Sequence, residues 1–115
     1  MKVLVVDDAL FTRKVLSKKL SNLGHRVFEA KDGEEAVLKS VLEKPDVVFM
    51  DIMMPKMDGI TATKLIKKNS KSKVVMCTSM NIKSQLIAAL KAGASDYLIK
   101  PFDDEKLRNS LYKEW

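Results

Sequence analysis

The sequence predicts a doubly wound α/β fold, in which helices cover both faces of a parallel sheet. Two observations indicate this class. Five short apolar runs alternate with longer amphipathic stretches along the 115 residues, and the connections between them are short. Strands joined through a helical crossover run parallel, and such crossovers are right-handed. No repeat, low-complexity tract or linker interrupts the alternation, so a single domain spanning residues 1–115 is expected.

The apolar runs are the predicted strands, and they cover residues 3–6, 27–30, 47–50, 74–77 and 97–99. The first, third and fourth runs are nearly continuous and rich in β-branched residues, which is typical of strands covered on both faces. The second and fifth are more mixed, which favours the edges of the sheet. Five strands indicate the flavodoxin-like order 2-1-3-4-5, which is taken from known folds of this class and not worked out from the spacing.

Five helices are predicted between and after the strands, because apolar residues recur three or four positions apart. The residues expected to face inward are Leu16, Leu20 and Leu23 in the first helix, Ala36, Val37, Val41 and Leu42 in the second, Ile60, Leu65 and Ile66 in the third, and Ile82, Leu86 and Leu90 in the fourth. Acidic residues 103–105 indicate the first turn of the fifth, where carboxylates interact favourably with the helix dipole.

The composition is that of a soluble globular domain, with 46% hydrophobic and 31% charged residues. No apolar run is long enough for a membrane span or a signal peptide, so no membrane insertion is expected. Cys77 is the only cysteine, which excludes an internal disulfide and favours a reducing cytoplasm. Its apolar neighbours predict a buried strand thiol. His25 has no histidine partner, and we expect no metal or catalytic role for it.

The net charge of +6 raises the question of nucleic-acid binding. The basic residues are scattered over the polar positions of the helical patterns, as at Arg13, Lys64 and Lys106, where solvated cations normally lie. No aromatic residues are interleaved with them for base stacking. We therefore expect no direct nucleic-acid binding, and the basic surface hints at an acidic partner.

Polar residues follow four of the predicted strands at the point where each strand ends. They are Asp7-Asp8, Asp51, Thr78-Ser79 and Lys100-Pro101, after the first, third, fourth and fifth strands. Ligands of open α/β sheets bind beyond the carboxyl ends of the strands, so these side chains are expected to meet on one rim. Taken singly, Asp7-Asp8 could cap a helix and Lys100-Pro101 could form a turn. Because such residues occur at the ends of four strands, a ligand-binding site is favoured over separate caps and turns.

Three carboxylates on one rim repel one another, and one lysine cannot neutralise them. A hard divalent cation could, and Mg²⁺ suits a site with few carboxylates, retained waters and a phosphate as co-ligand. Mn²⁺ is an expected substitute. An ionised aspartate is a competent nucleophile toward phosphorus. Phosphoryl transfer needs positioned positive charge and hydrogen-bond donors, which the cation, Lys100 and Thr78 would supply.

These motifs resemble those of the CheY-like receiver domains of bacterial two-component signalling, over essentially the whole chain. The matching segments are LVVDD at residues 4–8, DGEEA at 32–36, DVVFMDIMMPKMDG at 46–59, VVMCTS at 74–79 and KAGASDYLIKPF at 91–102. Each is modestly specific alone, and together they are highly specific. The resemblance implies a response regulator that catalyses only its own phosphorylation and dephosphorylation, and that is not otherwise an enzyme.

The resemblance implies a role for each residue of the rim. Asp51 is the expected phosphoacceptor. Asp8 and Asp51 are expected to ligate Mg²⁺ together with the backbone carbonyl of Met53, while Asp7 acts largely through water. Thr78, Ser79 and Lys100 are expected to surround the phosphoryl group. The Lys100-Pro101 peptide bond is expected to be cis.

The resemblance also implies a switch. On phosphorylation, Thr78 is expected to be drawn inward and Tyr97 to turn into the vacated space, which remodels the face of the fourth helix, fifth strand and fifth helix. Tyr97 also fits a half-buried aromatic of an edge strand. Met53 and Met80 are expected to flank the phosphoryl site, where apolar side chains would exclude water and slow hydrolysis.

Phe11 and Val15 lie one helical turn apart, close to Asp8. We predict that they dock a sensor histidine kinase or a histidine phosphotransfer protein; burial under a neighbouring loop is the alternative. The chain ends soon after the fifth helix, so the expectation is a stand-alone, monomeric regulator without an output domain. It would bind an unidentified downstream protein or pass the phosphoryl group onward in a phosphorelay.

Two other functions fit parts of the sequence. A Mg²⁺-dependent phosphohydrolase also uses an aspartyl nucleophile, but it usually needs an acid–base aspartate two residues later, where this chain has Met53. A flavodoxin-type carrier needs a phosphate-binding loop after the first strand, where Asp7-Asp8 would repel the phosphate.

Overall fold

The computed structural model describes residues 1–79 and 82–112. Five strands and five helices alternate along this part of the chain. The strands are β1 (Lys2–Val6), β2 (Arg26–Ala30), β3 (Val47–Asp51), β4 (Lys73–Thr78) and β5 (Asp96–Ile99). The helices are α1 (Leu10–Asn22), α2 (Gly33–Glu43), α3 (Gly59–Asn69), α4 (Lys83–Lys91) and α5 (Asp104–Tyr112). Each predicted strand agrees with an observed one to within one residue at either end.

All neighbouring strands are parallel, in the order β2-β1-β3-β4-β5. The predicted flavodoxin-like sheet is therefore confirmed, with β2 and β5 at its edges. In the register, Val6 lies beside both Ala30 and Met50, and Met50 lies beside Met76. The carboxyl ends of the strands therefore line up along one edge of the sheet. The strand order reverses between β1 and β3, so the ends of these two strands border the position where such sheets bind ligands.

Successive strand residues point to opposite faces of the sheet, and helices cover each face. Val3 and Val5 of β1 lie in the core that contains residues of α1 and α5. Leu4 and Val6 lie in the other core, which contains residues of α2, α3 and α4. Because both faces are buried, β1 and β3 are apolar at nearly every position, which explains their continuous apolar runs.

The start of α3 packs directly against the end of β3. Asp58 caps the helix by accepting a hydrogen bond from the backbone N–H of Thr61 at 2.9 Å. The N–H of Gly59 donates to the carbonyl of Ile52 at 2.8 Å. A Cβ at Gly59 would lie 1.9 Å from the carbonyl oxygen of Asp51, so a larger residue could not approach β3 this closely. This contact anchors the loop that follows Asp51.

The inner face of α2 differs from the predicted one. The sequence predicts that Val41 and Leu42 point inward, but their side chains are 57% and 66% exposed, and Leu38 is 58% exposed. The helix packs instead through small residues, including Ala36 and Ser40, because they allow it to lie close to β1 and α3. The prediction for Val41 and Leu42 is therefore wrong.

Leu23, Ile82 and Leu90 are also exposed, contrary to prediction. Leu23 and Ile82 lie just outside α1 and α4, as their terminal caps, where the chain turns away from the core. Other predicted inward positions are confirmed, as the buried side chains of Leu20, Ile66 and Leu86 show.

No helix within residues 1–79 and 82–112 is long and apolar enough to cross a membrane. Cys77 is buried in β4, as predicted, and burial raises the pKa of its thiol to about 12, so the thiol stays protonated and unreactive. His25 has structural contacts: Nδ1 lies 3.3 Å from the N-terminal nitrogen of Met1, and Nε2 lies 3.0 Å from the hydroxyl oxygen of Tyr112. His25 thereby connects α5 to the start of β1.

Candidate functional site

Three carboxylates meet at the carboxyl edge of the sheet. Asp7 and Asp8 follow β1, and Asp51 is the last residue of the adjacent strand β3. One oxygen from each carboxylate lies within 4.8 Å of the other two. Asp7 and Asp51 are buried, whereas Asp8 is exposed. Such a cluster of like charges is unfavourable unless a cation or a proton compensates it.

Lys100 supplies a positive charge to the carboxylate cluster. Its Nζ donates a hydrogen bond to Asp7 Oδ2 at 2.8 Å and lies 3.7 Å from Asp51 Oδ1. Its backbone N–H donates to the carbonyl of Thr78 at 2.7 Å, so β4 fixes the point from which the lysine extends. The Lys100–Pro101 peptide bond is cis.

The electrostatics of the rim leave Asp51 with an incompletely compensated charge. Burial raises the pKa of Asp51 to about 6; Lys100 opposes the rise, while the charges of Asp7 and Asp8 add to it. For Lys100, burial alone would lower the pKa. The hydrogen bond to Asp7 and the charges of Asp51 and Asp7 outweigh burial and raise that pKa above its usual value. Lys100 is therefore a cation at any physiological pH.

The loop that carries Asp7 and Asp8 is held by Arg13 of α1. Arg13 Nη1 donates to the backbone carbonyl of Asp7 at 2.9 Å, and Nε donates to Glu29 Oε1, also at 2.9 Å. The Arg13 side chain is only 14% exposed, so the prediction that it is a solvated cation is wrong. Sequence reasoning missed this contact. The available signal was that Glu29 is the only acidic residue of β2.

Thr78 and Ser79 lie beside Asp51 at the end of the neighbouring strand. Asp51 is aligned with Cys77, so Thr78 is one position further toward the rim. Thr78 is buried and Ser79 is exposed. The structure therefore places Thr78 at the carboxyl end of the strand next to β3, with Ser79 directly after it.

Met53 lies two residues beyond Asp51, and its side chain is exposed. Tyr97 is exposed on the edge strand β5 and lines a surface groove together with residues of α5. Met80 lies outside the described residues, so its predicted place beside the phosphoryl site stays a prediction.

Phe11 and Val15 form an apolar surface on α1 next to the rim. Phe11 is 80% exposed, so the alternative in which a loop buries it is wrong. Both residues line a cavity of about 470 Å³ between α1 and the segment that follows β5. Phe102 and Lys100 lie on the other side of that cavity, which also reaches Asp7.

The donor set of the carboxylate cluster fits Mg²⁺. Three carboxylates offer the hard oxygen ligands that Mg²⁺ prefers, and the exposed Asp8 leaves one side open to water. Neither histidine nor cysteine belongs to this cluster, although soft or borderline metals prefer such ligands.

A sequence profile described as the response regulator receiver domain matches residues 3–112. The chain belongs to the response regulator receiver family. Receiver domains are the signalling domains of two-component systems and generally use Mg²⁺.

This receiver domain is similar in sequence to both short and long proteins. It is 41% and 43% identical over 114 residues to the chemotaxis proteins CheY of Bacillus subtilis and Thermotoga maritima, covering 97% of this chain and 95% of each relative. It is 44% identical over 106 residues to the probable transcriptional regulator ycf27 of Guillardia theta. That alignment covers 92% of this chain but spans only 42% of the relative.

Solved receiver structures have the same fold. The chemotaxis protein CheY4 of Vibrio cholerae superposes with a TM-score of 0.90 at 33% identity, covering 96% of this chain and 94% of that one. CheY from the CheX–CheY–BeF3–Mg²⁺ complex of Borrelia burgdorferi superposes with a TM-score of 0.89 at 35% identity, covering 96% and 86%.

Proposed function

We propose that this receiver domain accepts a phosphoryl group on Asp51 in a Mg²⁺-dependent reaction. The observation that carries the proposal is the meeting of three carboxylates and Lys100 at one edge of the sheet. The carboxylates can hold a divalent cation, and the cation together with Lys100 can attract the negative oxygens of a phosphoryl group. Asp51 is the last residue of β3 and directly precedes the loop that leads to α3.

The proposed donor is a phosphohistidine of a sensor histidine kinase or of a histidine phosphotransfer protein. An oxygen of the ionised Asp51 carboxylate attacks phosphorus, and a P–O bond forms as the P–N bond breaks. The leaving imidazole nitrogen keeps the electron pair and takes up a proton. Lys100 Nζ lies 3.7 Å from Asp51 Oδ1, so it is close enough to pair with an oxygen of the transferred group.

The proposed metal ligands are Asp8, Asp51 and the backbone carbonyl of Met53, with Mn²⁺ able to replace Mg²⁺. The bound ion supplies positive charge for the phosphoryl oxygens as charge develops on them. Asp7 already accepts a hydrogen bond from Lys100, which supports an indirect role for it through water. Thr78 and Ser79 are proposed to donate hydrogen bonds to the phosphoryl group.

Thr78 and Tyr97 are the proposed switch. Attraction of the Thr78 hydroxyl to the phosphoryl group would free space beneath Tyr97, and Tyr97 would turn inward from its exposed position on β5. The surface of α4, β5 and α5 would then change shape. We propose that a downstream protein reads this surface, or that the receiver passes its phosphoryl group onward.

Phe11 and Val15 are the proposed contact for the kinase or phosphotransfer protein, because they line a cavity that reaches the rim. The CheY of Borrelia burgdorferi was solved in a complex with CheX. By similarity, we propose that the activated form of this chain also binds a protein. We place the reaction in the cytoplasm, where the lone thiol of Cys77 would stay reduced.

Mg²⁺-dependent labelling by a small acyl phosphate tests the phosphoacceptor. We expect the wild type to be labelled and Asp51→Asn not to be. Asp58→Asn is the matched control, since it removes a nearby carboxylate while keeping a residue that can cap α3. Undiminished labelling of Asp51→Asn would overturn the assignment.

A phosphohydrolase is disfavoured, because the position two residues after Asp51 holds the exposed thioether of Met53 and no acid–base group. A steady turnover assay on phosphomonoesters separates the two functions. We expect no sustained phosphate release.

A further inference from the structure

One face of α2 exposes three large apolar side chains. Leu38, Val41 and Leu42 are 58%, 57% and 66% exposed, and they follow one another at intervals of three and one residues. Residues spaced in this way lie on one side of a helix. We call these three residues the α2 stripe. The buried side of the same helix consists largely of small residues such as Ala36 and Ser40.

The α2 stripe belongs to neither surface described above. Phe11 and Val15 lie on α1, against the opposite face of the sheet from α2. The switch surface is formed by α4, β5 and α5 at the β5 edge, whereas α2 packs on β1 and β2 toward the other edge. Clusters of exposed large apolar side chains on a helix usually mark a contact with another protein.

The charges at the two ends of the α2 stripe are self-complementary. Glu34 lies in the first turn of α2, and Lys44 caps its last turn. Both are exposed, and neither forms an ion pair within the described part of the chain. They are ten residues apart, which is about 15 Å along a helix axis. A partner that fits the stripe needs a cation opposite Glu34 and an anion opposite Lys44.

We propose that α2 pairs with α2 of a second copy of this chain, in an antiparallel arrangement about a twofold axis. The axis would pass near the middle of the helix, so that Leu38 of each copy faces Val41 and Leu42 of the other. Each Glu34 would then lie beside Lys44 of its partner. This follows because Glu34 and Lys44 are centred on nearly the same point of the helix as the three residues of the α2 stripe. In an isologous contact of this kind, each copy supplies the cation that Glu34 needs and the anion that Lys44 needs, so no other partner is required. The antiparallel helix dipoles also interact favourably.

The pairing is a weak one. α2 has 11 residues, so the contact extends over about 16 Å. Stable interfaces bury about 1,200–2,000 Å² in total, and a contact limited to one short helix from each copy is small compared with that range. We therefore expect the self-association to depend on concentration and dilute protein to be monomeric.

Sedimentation equilibrium over a concentration series up to about 1 mM tests the proposal, since an interface of this small size associates only at high concentration. The wild type is expected to increase in average mass with concentration. Leu42→Glu should reduce the association constant by about tenfold or more, because it places charge in the centre of the contact. Leu23→Glu is the matched control, since Leu23 is another exposed leucine outside the stripe, and it should leave the association constant unchanged.

A charge exchange distinguishes the twofold pairing from a general apolar contact. Glu34→Lys alone and Lys44→Glu alone should each weaken association, since each places like charges together twice. The double variant Glu34→Lys/Lys44→Glu should restore it. Lys44 has a positive φ of 49°, and glutamate tolerates this conformation about as well as lysine. Circular dichroism verifies that each variant is folded.

A wild type that stays monomeric over the whole series would overturn the proposal. Equal association of Leu42→Glu and wild type would also overturn it, as would equal loss in Leu23→Glu. Failure of the double variant to recover would exclude the antiparallel twofold arrangement. None of these outcomes depends on phosphorylation of Asp51.

Discussion

Asp51 occupies a position that folding makes electrostatically unfavourable. It lies with two other carboxylates near a single lysine, and burial raises its pKa to about 6. The unfolded chain releases this proton at a lower pH. Between the ordinary carboxyl pKa and about 6, the folded state therefore binds more protons, and stability falls as the pH rises through that window. Above pH 6 the destabilisation is fully present.

We expect Asp51→Asn to raise the free energy of unfolding at neutral pH, in the absence of Mg²⁺. The full pKa shift represents about 3 kcal/mol, and water at the open rim reduces the expected gain to about 1–2 kcal/mol. The gain should disappear on acidification toward the ordinary carboxyl pKa, where the wild type is protonated. Urea unfolding at several pH values checks this, with Asp58→Asn as the control. A gain that does not vary with pH would contradict the raised pKa.

We predict that Met53 affects a second property of the same site, the lifetime of the aspartyl phosphate. Its exposed apolar side chain cannot hold a water molecule by hydrogen bonding, so we expect a long-lived aspartyl phosphate. Met53→Asn should shorten the half-life severalfold, because an amide can position water for attack. Loss of label after removal of the donor measures the half-life. Met53→Leu is the apolar control and should keep the wild-type value; an unchanged half-life in Met53→Asn would contradict the role.

At the scale of elements, the strands could be predicted and one helix face could not. Apolar runs that end in polar residues define the strands, because both faces of the sheet are buried. α2 carries apolar residues on both of its sides, so periodicity alone cannot select the buried one. The choice depends on the close approach of α3 and β1, which accept small residues such as Ala36 and Ser40. How closely α2 approaches α3 and β1 is set by the folded structure, and the sequence pattern of α2 alone does not contain it.

The rim was predictable for a related reason. Asp7, Asp51, Thr78 and Lys100 each end a strand or follow one, and parallel strands bring their carboxyl ends together. Arg13 was not predictable, because its partner Glu29 lies on another element and its depth depends on how α1 packs. The strand-end residues of the candidate site could therefore be predicted from the sequence, while the contact by which Arg13 holds the loop after β1 could not.

The β1–α1 loop depends on Arg13 for its position. We expect Arg13→Met to weaken Mg²⁺ binding by about tenfold, as loss of residues that orient metal ligands commonly does. Stability should fall by about 1–2 kcal/mol, because the carbonyl of Asp7 loses a buried donor. The Mg²⁺-dependent rise in melting temperature measures affinity without phosphorylation.

Lys14→Met is the matched control for Arg13→Met. Lys14 also pairs with Glu29, at 3.0 Å, but it makes no contact with the Asp7 loop. We expect it to leave Mg²⁺ affinity unchanged. Equal weakening of Mg²⁺ binding in the two variants would contradict the role of the Arg13–Asp7 contact. It would show that the effect comes from removing a cation beside Glu29.

At the scale of the whole molecule, we expect the phosphodonor protein to bind one surface and the phosphoryl transfer to take place at another. Phe11 and Val15 lie outside the carboxylate cluster, so the double variant Phe11→Ala/Val15→Ala should slow transfer from a phosphorylated histidine protein by about tenfold or more. Labelling by a small acyl phosphate should remain near the wild-type rate. Parallel time courses with the two donors check this, and equal loss with both would indicate general destabilisation instead.

The hydrogen bond between Lys100 and Asp7 joins residues that are 93 positions apart in the chain. In the sheet, β3 and β4 lie between β1, which precedes Asp7, and β5, which precedes Lys100. During synthesis, Asp51, the proposed phosphoacceptor, leaves the ribosome well before Lys100, because it lies much earlier in the chain. We therefore expect a partly made chain that lacks Lys100 to accept a phosphoryl group poorly. In that case only a finished chain could take part in signalling.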